Sequence, residues 1–561
     1  MRLRRARRVA VLAVIAASSV AGCTHAPPPV PGFGSSPGTA SQTASVTPLP
    51  TLPWPGPATA GGPITAGLIP LPVLARTDPG ESFTLSSRTR IWIGTDQAAQ
   101  PIAETLAAAL RPATGFPLSV DRSVDPPPDS FLLAIDQSEP QLGEEGYDLT
   151  VTRGAVILHA RTPAGLFYGV QTIRQLLPQR IEATSVQPGP WEIPGGRIVD
   201  YPRFAYRGAM LDVARHFFTV AQVERYIDEL ARYKVNVLHL HLSDDQGWRI
   251  AIDGWPKLTS IGGKTAVGGG PGGYYTQAEY RAIVAYAQAR FITIVPEIDT
   301  PGHVNAALVS YPALACPGTR LAPYTGTGVG FSTLCVDQPV VFQFLNDVVA
   351  QLAALTPGPY LHLGGDEAAS TKPADYLRYV EQAQKIVTAH GKTMMGWAEI
   401  AAAPLDRSTV AEYWNFRDRG ATARKALDQG VRLVAAPADH AYVDQKYDPS
   451  TPLGVTWAGP TSVEKAYSWD PTDIAPEDRL LGVEGPLWSE TISTLSQVEF
   501  LAWPRMAGIA EIGWTPRAER SWSTYRLRLA AQAPRWEIEG VNFYRSPEVP
   551  WVSASAATNP S

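Results

Sequence analysis

Two acidic residues stand side by side where an apolar segment of the chain ends. The segment Tyr360-Leu-His-Leu-Gly-Gly-Asp-Glu367 places the carboxyl groups of Asp366 and Glu367 after a short apolar run and two glycines. A short apolar run bounded by turn residues is typical of a buried parallel strand, and glycine lets the chain turn sharply at its end. The pattern predicts two carboxylates at the carboxyl end of a strand. A solvated acidic turn is the alternative.

The spacing of this pair limits the chemistry that it can perform. Two-carboxylate glycosidases place their groups on opposite sides of one glycosidic bond, roughly 5–10 Å apart. Adjacent residues point in different directions, so Asp366 and Glu367 are poorly placed as a nucleophile and the acid that faces it. We expect one of them to be a general acid and the other to hold part of a substrate.

Three more residues that suit sugar chemistry follow apolar segments: Arg215, Asp244 and His303. The planar donor fork of an arginine can bind two vicinal hydroxyl groups. A histidine that is hydrogen-bonded to a carboxylate can assist an acid that is protonated before bond cleavage and ionised afterwards. A surface ion pair for Arg215 and a turn-capping role for His303 are the structural alternatives.

Aromatic residues end three later apolar runs, at Trp397, Trp414 and Trp488. A single tryptophan is usually part of a core, whereas three at one rim can wall a small apolar pocket. His239 and His241 alternate with leucines, which predicts that they line the interior of the fold rather than bind a metal.

These residues can act together only in a fold that brings the ends of several strands close to one another. From Phe204 onwards, apolar strand candidates alternate with helix candidates such as Val220–Tyr233 and Pro339–Leu355, a pattern that indicates parallel βαβ units. Eight strands over roughly 320 residues predict an α/β fold, a (β/α)8 TIM barrel, with its active site at the carboxyl ends of the strands. The predicted strands are Gly208–Val213, Val235–Leu242, Ile292–Pro296, Tyr360–Gly364, Thr393–Gly396, Val410–Trp414, Leu433–Ala436 and Gly482–Glu484.

The first residues of the sequence predict export. Arginines are the only charged residues before Cys23, and the apolar run from Val9 to about Val20 is too short to span a bilayer. Val20-Ala-Gly-Cys23 resembles a bacterial lipobox, which implies lipidation of Cys23 and a lipid anchor at the cell membrane or envelope; ordinary secretion is the alternative. Beyond the export point a disulfide between Cys316 and Cys335 can persist, with two unpaired buried thiols as the alternative.

Composition and sequence pattern predict how the rest of the chain is divided into a tether and domains. No Asp, Glu, Lys or Arg occurs from Thr24 to Ala75, and the Pro-, Gly-, Ser- and Thr-rich first part of this stretch predicts a tether. A hairpin at Tyr147–Ala160 and a helix that starts at Thr162 indicate a small α+β domain before the barrel. We predict a signal peptide at 1–22, a tether at 23–65, a non-catalytic α+β domain at 66–200, a catalytic barrel at 201–540 and a tail at 541–561.

The overall composition excludes some partners. The 561 residues are 45% hydrophobic, which is enough for more than one core. Lys and Arg total 47 against 52 Asp and Glu, and the net charge of −5 argues against a nucleic-acid partner. The cysteines and histidines show no metal-ligand spacing, so no metal site is expected.

The segment His362-Leu-Gly-Gly-Asp-Glu367 resembles the His-x-Gly-Gly-Asp-Glu signature of glycoside hydrolase family 20, the β-N-acetylhexosaminidases. The resemblance covers residues 146 to 515 approximately, and includes the small domain that precedes the barrel in that family. It implies an exo-acting enzyme that removes terminal GlcNAc or GalNAc and needs neither a metal nor an organic cofactor.

The resemblance also implies roles for individual residues. Glu367 would be the general acid and base, with Asp244 and His303 as a dyad behind it. Asp366 would orient the acetamido group of the substrate, whose oxygen attacks the anomeric carbon to form an oxazolinium ion, with net retention. Substrate contacts would fall to Arg215, Trp397, Trp414, Tyr442, Asp444, Trp457, Trp488 and Glu490.

Two other functions fit parts of the pattern. A different glycosidase on the same barrel would lack a preference for 2-acetamido sugars. A non-catalytic glycan-binding lipoprotein of the envelope has no use for a general acid. The full set of residues argues against it: Asp366, Glu367, Asp244, His303 and Arg215.

Overall fold

The computed structural model describes residues 56–58, 62, 64–123, 125–137 and 139–552. The strands in this part of the chain are β1 (Leu74–Leu85), β2 (Arg90–Ile93), β3 (Val120–Arg122), β4 (Ser130–Ile135), β5 (Tyr147–Val151), β6 (Ala155–Ala160), β7 (Trp191–Asp200), β8 (Tyr206–Asp212), β9 (Val237–His241), β10 (Ser243–Asp244), β11 (Gly247–Trp248), β12 (Thr293–Glu297), β13 (Tyr360–His362), β14 (Thr393–Trp397), β15 (Val410–Tyr413), β16 (Arg432–Ala435) and β17 (Leu480–Leu487). The α-helices are α1 (Gln100–Thr114), α2 (Pro163–Leu176), α3 (Val220–Arg232), α4 (Lys257–Ser260), α5 (Gln277–Gln288), α6 (Asn305–Ser310), α7 (Pro339–Leu355), α8 (Pro373–Ala389), α9 (Ala421–Asp428), α10 (Val463–Tyr467), α11 (Leu495–Ala502), α12 (Arg505–Trp514), α13 (Trp522–Ala530) and α14 (Ala533–Glu539).

The first domain contains a mixed seven-stranded sheet in the order β1-β7-β5-β6-β4-β2-β3. The predicted hairpin is present as the antiparallel pair β5 and β6, and α1 and α2 pack against the sheet. The predicted helix start is also present, because the side chain of Thr162 accepts a hydrogen bond from the amide of Gly165 and Pro163 occupies the first turn of α2.

The second domain is a closed barrel of parallel strands, which in chain order are β8, β9, β12, β13, β14, β15, β16 and β17. Pairing of β17 with β8 closes the barrel. Helices cover it with their apolar faces; in α3 the buried residues Val223, Tyr226, Ile227 and Leu230 recur at helical spacing. All eight predicted strands are found with small shifts at their ends, so the predicted fold class is confirmed.

The interior of the barrel is filled by layers of side chains. Along β9, Val237, His239 and His241 enter successive layers, and all three are buried. The layer nearest the amino ends is apolar, and the layer at the carboxyl ends is rich in aromatic rings. Between them lies a polar layer whose members are fully buried: His239, Glu297, His362, Glu412 and Glu484. His239 and His241 therefore line the interior, as their alternation with leucines predicts.

Buried charges join the two domains. Lys234, at the end of α3, has its Nζ 2.8 Å from Oδ2 of Asp200 and 2.9 Å from the hydroxyl of Tyr147. Arg207 of β8 donates two hydrogen bonds to Glu145, of 3.0 and 2.7 Å. Lys234, Asp200 and Arg207 are almost completely inaccessible to solvent. The barrel therefore takes the partners of two of its buried cations from the small domain.

A disulfide closes the long connection between β12 and α7. Cys316 and Cys335 are bonded with an S–S distance of 2.07 Å, as predicted. The closed loop packs over the carboxyl ends of the barrel strands, where the hydroxyl of Ser332 donates to Asp245 at 2.5 Å and that of Ser370 donates to the carbonyl of Gly330 at 2.7 Å.

Helices within the described ranges are all too short or too polar to cross a lipid bilayer. The predicted signal peptide, the predicted lipidation at Cys23 and most of the predicted tether lie outside the described residues. At the other end, residues 541–552 pack against α14, where the rings of Phe543 and Trp551 contact Trp536.

Candidate active site

The residues singled out from the sequence lie together at the carboxyl ends of the barrel strands. In chain order they are Arg215 after β8, Asp244 in the hairpin after β9, His303 after β12, Asp366 and Glu367 after β13, Trp397 at the end of β14, Trp414 after β15, Tyr442, Asp444 and Trp457 after β16, and Trp488 and Glu490 after β17. This is the face at which TIM barrels carry their active sites.

A tight turn places the two adjacent carboxylates. Gly364, Gly365 and Glu367 all have positive φ, at 68°, 103° and 43°. A side chain at position 364 would collide with Asp299, whose Oδ1 lies 1.7 Å from where a Cβ would be. The amide of Gly365 donates to that same oxygen at 3.2 Å. Glycine is required here because Asp299 occupies the space beside the chain, and Glu367 carries the strain that non-glycine residues at functional sites often show.

An imidazole connects the two carboxylates to a third. Nε2 of His303 lies 3.4 Å from Oε2 of Glu367 and 3.7 Å from Oδ2 of Asp366, and Nδ1 lies 3.3 Å from Oδ1 of Asp244. Burial alone would lower the pKa of His303, but the surrounding aspartates, Asp244 first, raise it well above its usual value. His303 is therefore a cation at neutral pH.

Asp244 is held in its ionised form by four donors. Nη2 of Arg215 lies 2.7 Å from Oδ2, and Nε2 of His241 lies 3.0 Å from the same oxygen. The amide of Asp245 donates to Oδ1 at 2.5 Å, beside the contact with His303. Burial would raise the pKa of Asp244, but Arg215 and then His303 hold it well below its usual range.

Asp366 and Asp299 form a second acidic pair in the site. Burial, opposed by His303 and assisted by Glu367, raises the pKa of Asp366 to about 6. Burial and the nearby Asp366 raise the pKa of Asp299 well above its usual value. Neighbouring buried carboxylates do not both ionise readily, and these directions favour a proton on Asp299 and the negative charge on Asp366.

Five aromatic side chains form one connected cluster at the carboxyl ends of the strands. The ring of Trp488 lies 5.8 Å from that of Trp397 and 6.2 Å from that of Tyr442, measured between centroids. Trp457 lies 5.8 Å from both Trp414 and Tyr442. Trp397 is fully buried, whereas Trp457 is 38% exposed. The three predicted tryptophans thus belong to one cluster, and Trp457 is its most exposed member.

Several buried polar atoms at the same face of the barrel have no hydrogen-bond partner among the described residues. They are Nε of Arg215, Oδ1 of Asp366, Oδ1 of Asp444 and Oε2 of Glu490. Burial and the neighbouring Glu490 raise the pKa of Asp444 well above its usual value. Leaving a buried polar group unpaired costs roughly 1–3 kcal/mol, so a ligand rich in hydroxyl and amide groups would bind here by supplying the missing partners.

Three functional residues were not singled out in the sequence. Asp212 accepts hydrogen bonds from the amides of Arg215 and Ser489, at 3.1 and 3.0 Å, and so ties the first barrel strand to the last. Glu399 accepts the indole N–H of Trp414 at 3.1 Å, and burial with the charge of Asp366 raises its pKa to about 8. Asp299 is the third. All three are acids just beyond an apolar run, which is the signal that led to Asp366.

Imidazoles and carboxylates also approach one another closely enough to bind a metal. One such group is His239, Glu297 and His362, whose potential ligand atoms lie within 4.8 Å of one another. Direct contacts between Glu297 and the two rings, of 3.1 and 3.0 Å, account for this proximity.

Comparison with known families places this geometry in context. The model described as "Glycosyl hydrolase family 20, catalytic domain" matches residues 204–517, and that described as "Glycosyl hydrolase family 20, domain 2" matches residues 65–201. The first match covers more than half of the chain and contains every predicted catalytic residue.

Individual relatives agree with the family match. A β-N-acetylhexosaminidase of Cellulomonas fimi is 40% identical over 495 residues, which cover 87% of this chain and 98% of the relative. The family 20 β-N-acetylhexosaminidase of Streptomyces coelicolor A3(2) has a solved structure with 48% identity and a TM-score of 0.84, covering 88% of this chain and 100% of that one. A mutant Streptomyces plicatus β-hexosaminidase in complex with its product, GlcNAc, has 48% identity and a TM-score of 0.84, covering 89% and 99%.

Proposed function

Because the chain belongs to glycosyl hydrolase family 20 and is a β-N-acetylhexosaminidase, we propose that it releases terminal β-linked GlcNAc or GalNAc with net retention, using the substrate's own acetamido group as the nucleophile. The observation that carries this proposal is that Asp366 and Glu367 both contact Nε2 of His303. These three atoms all lie within 4.8 Å of one another, so both carboxylates face one ring nitrogen, whereas a two-carboxylate mechanism places them on opposite sides of the scissile bond.

In the first step the acetamido oxygen attacks the anomeric carbon while the glycosidic bond breaks. Glu367 gives its proton to the departing oxygen. The acetamido nitrogen gains positive charge as the oxazolinium ring forms, and the ionised Asp366 stabilises that charge. Both carboxylates then have a distinct role, and neither has to reach the far side of the sugar.

In the second step water opens the oxazolinium ion. Glu367, now ionised, takes a proton from the water, whose oxygen bonds to the anomeric carbon as the ring opens and restores the acetamido group. Each step inverts the anomeric carbon, so the product retains its configuration. His303, whose other ring nitrogen faces Asp244 at 3.3 Å, lies 3.4 Å from Glu367 and keeps the acid in place through both steps.

The pocket around Asp366 supports an N-acetyl sugar as the substrate. Trp397, Trp414 and Trp488 provide an apolar wall of a size suited to the acetyl methyl group, and the exposed indole of Trp457 can stack on a pyranose ring. The unpaired atoms of Arg215, Asp444 and Glu490 suit the sugar hydroxyls, and Tyr442 suits the acetamido group. The Streptomyces plicatus relative in complex with GlcNAc supports the same assignment.

A comparison of substrates that differ only at C2 tests the proposal. An aryl 2-acetamido glycoside should be hydrolysed much faster than its 2-hydroxy counterpart, with kcat reduced as well as kcat/KM, because the latter lacks the reacting group. Mass spectrometry of enzyme trapped during turnover gives the decisive measurement. A glycosyl group attached to Asp366, Glu367 or another carboxylate would overturn the mechanism. Binding of glycosides with no turnover would instead favour a glycan-binding protein.

The enzyme is also proposed to act outside the cytoplasm on a lipid anchor at Cys23. The support is the sequence Val20-Ala-Gly-Cys23 after an arginine-led apolar run, together with the uncharged tether that follows. A disulfide between Cys316 and Cys335 is consistent with an oxidising compartment.

A further inference from the structure

A row of alternating charges runs from the active site into the barrel interior. Oδ2 of Asp244 lies 3.0 Å from Nε2 of His241, whose Nδ1 contacts Oε2 of Glu297. Nε2 of His239 lies 3.1 Å from the same oxygen of Glu297, and its Nδ1 lies 2.9 Å from Oε1 of Glu484. None of these five residues is more than 1% exposed. The row thus begins at the proposed dyad and ends in the middle of the barrel.

The contacts of His241 determine its charge. Both ring nitrogens face a carboxylate oxygen, so both must carry a proton for both contacts to be attractive. Burial would lower the pKa of His241, but Glu297 first and then Asp244 raise it to about 9. Glu297 is in turn stabilised as an anion, since the indole N–H of Trp397 donates to its other oxygen at 3.0 Å. His241 is therefore a fixed cation between two anions.

The contact with His241 helps to fix the orientation of the Asp244 carboxylate. Its hydrogen bond and that of Arg215 both go to Oδ2, so Oδ1 is the oxygen that remains for His303. Arg215 has an unpaired Nε and is proposed to bind sugar hydroxyls. Its guanidinium group therefore contacts both Asp244 and the substrate. His241 does not share its contacts in this way, because it is fully buried beneath the edge of the Trp488 ring, with the centroids 4.9 Å apart.

We infer that His241 is a positioning residue for the hydrolysis, which orients Asp244 towards His303, and that Glu297 holds His241 in place. This inference rests on the proposed roles of Glu367, His303 and Asp244. Neither His241 nor Glu297 touches the substrate in this scheme. They act on proton transfer by keeping the carboxylate, the imidazole and the acid in line.

Two substitutions at position 241 separate the contacts. In His241→Gln the amide nitrogen can occupy the place of Nε2 and still donate to Asp244. In His241→Asn the shorter amide reaches the place of Nδ1, near Glu297, and no longer reaches Asp244. The matched control is His239→Gln, because His239 is equally buried and also contacts Glu297 but does not touch Asp244.

The readout is the ratio of kcat for a GlcNAc disaccharide to kcat for a dinitrophenyl glycoside. The disaccharide needs a proton on its leaving oxygen and the activated glycoside hardly does, so a misaligned acid lowers the ratio. General acids contribute about 10²–10⁴-fold. We expect the ratio of the two kcat values to fall roughly 10-fold to 100-fold in His241→Asn, with little change in KM. His241→Gln and His239→Gln should each stay within roughly threefold of the wild type, since the donor to Asp244 is preserved in both.

A purely structural role would give a different result. A loosened barrel lowers the number of active molecules and therefore reduces the rates on both substrates equally. An unchanged ratio in His241→Asn would overturn the inference. An equal fall of the ratio in His239→Gln would also overturn it. Titration with a thiazoline inhibitor counts the active sites of each variant. If His241→Asn does not fold, Glu297→Gln takes its place, and the inference predicts a selective loss of the disaccharide rate there as well.

The failure of this inference can be told apart from the failure of the proposed function. Glu367→Gln must lower the ratio if Glu367 is the acid. If it does and His241→Asn does not, the positioning role is wrong and the mechanism stands. If Glu367→Gln leaves the ratio unchanged, the proposed mechanism itself is wrong.

Discussion

Nε2 of His303 lies 3.4 Å from Oε2 of Glu367, while the opposite ring nitrogen faces a carboxylate that is itself held by an arginine. This ring nitrogen is close enough to the carboxylate to interact with it throughout the reaction. Glu367 is also the more accessible of the adjacent pair, with 37% of its side chain exposed against 11% for Asp366. The geometry therefore favours Glu367 as the group that exchanges protons with the leaving group and with water.

Replacing Glu367 with Gln keeps the shape of the side chain and removes the proton. Since a general acid contributes about 10²–10⁴-fold, hydrolysis of a GlcNAc disaccharide should slow by that order. Aryl glycosides with good leaving groups should suffer less in the cleavage step. Steady-state kinetics on both substrates measure the difference, and near-normal turnover of the disaccharide by Glu367→Gln would exclude this residue as the acid.

The charge of Asp366 predicts an acidic limb in the pH profile. With a pKa of about 6, this carboxyl is neutral below that pH and ionised above it, and only the ionised form stabilises the oxazolinium ion. kcat/KM reports the free enzyme, so it should fall as the pH drops through about 6. Asp366→Asn should slow the reaction and remove this limb.

Asp299→Asn is the matched control for that experiment. Asp299 is already neutral in the proposed active form, so its amide should cost far less activity than Asp366→Asn and should leave the acidic limb in place. The opposite ranking of the two variants would show that the negative charge of the pair resides on Asp299.

A buried ion pair at the outer layer of the barrel gives a prediction about stability. Glu511 of α12 is bonded to Arg528 at 2.5 and 2.7 Å and accepts the amide of Leu71 at 2.9 Å, and both charged side chains are inaccessible. Glu511→Gln leaves the guanidinium buried without an anion, which typically costs about 3–5 kcal/mol. Denaturant unfolding should show a loss of that size.

The exposed ion pair of Asp337 and Arg378 provides the comparison. Solvent screens this pair, since 65% and 47% of the two side chains are exposed. Asp337→Asn should leave the free energy of unfolding almost unchanged. Equal effects of Glu511→Gln and Asp337→Asn would show that burial of the Glu511 pair contributes nothing.

Replacing Cys23 with Ala tests the proposed anchor. Without the thiol no lipid can be attached, so the protein should move from the membrane fraction to the soluble fraction of the envelope while specific activity is retained. Labelling with a fatty-acid probe gives a direct readout, and Cys316→Ser serves as a control that should still be labelled. Unchanged membrane retention of Cys23→Ala would argue for ordinary secretion with another means of attachment.

The barrel was predictable because its strands are apolar runs separated by helices with one apolar face. Val235–Leu242 was predicted and β9 spans Val237–His241, so the pattern located the strand while the hydrogen bonds set its ends. β1 was not predicted. It contains Pro79 and Gly80, which usually end a strand, and it pairs with β7 on either side of a register shift between Thr77 and Ser82.

The site was predictable where a residue type and its position sufficed, as for Asp366, Glu367 and His303. The row through His241, Glu297 and His239 was not, because it depends on which strands become neighbours when the barrel closes. β9 pairs with β12, which brings His241 beside Glu297, and no local pattern reveals that pairing. A glutamate at the end of the mostly apolar strand β12 was the available sign that a buried partner had to exist.

The contacts of Lys234 restrict where the protein can be truncated. A fragment that begins at residue 204 would contain the whole of the matched catalytic region, yet it would lack Asp200 and Tyr147, which bind Lys234, and Glu145, which binds Arg207. Two cations would then lose their anionic partners, at a cost of about 3–5 kcal/mol each that is comparable to the net stability of a domain. We expect the isolated barrel to aggregate on expression, so the small domain is an intramolecular folding partner and an enzyme shortened for engineering must keep it.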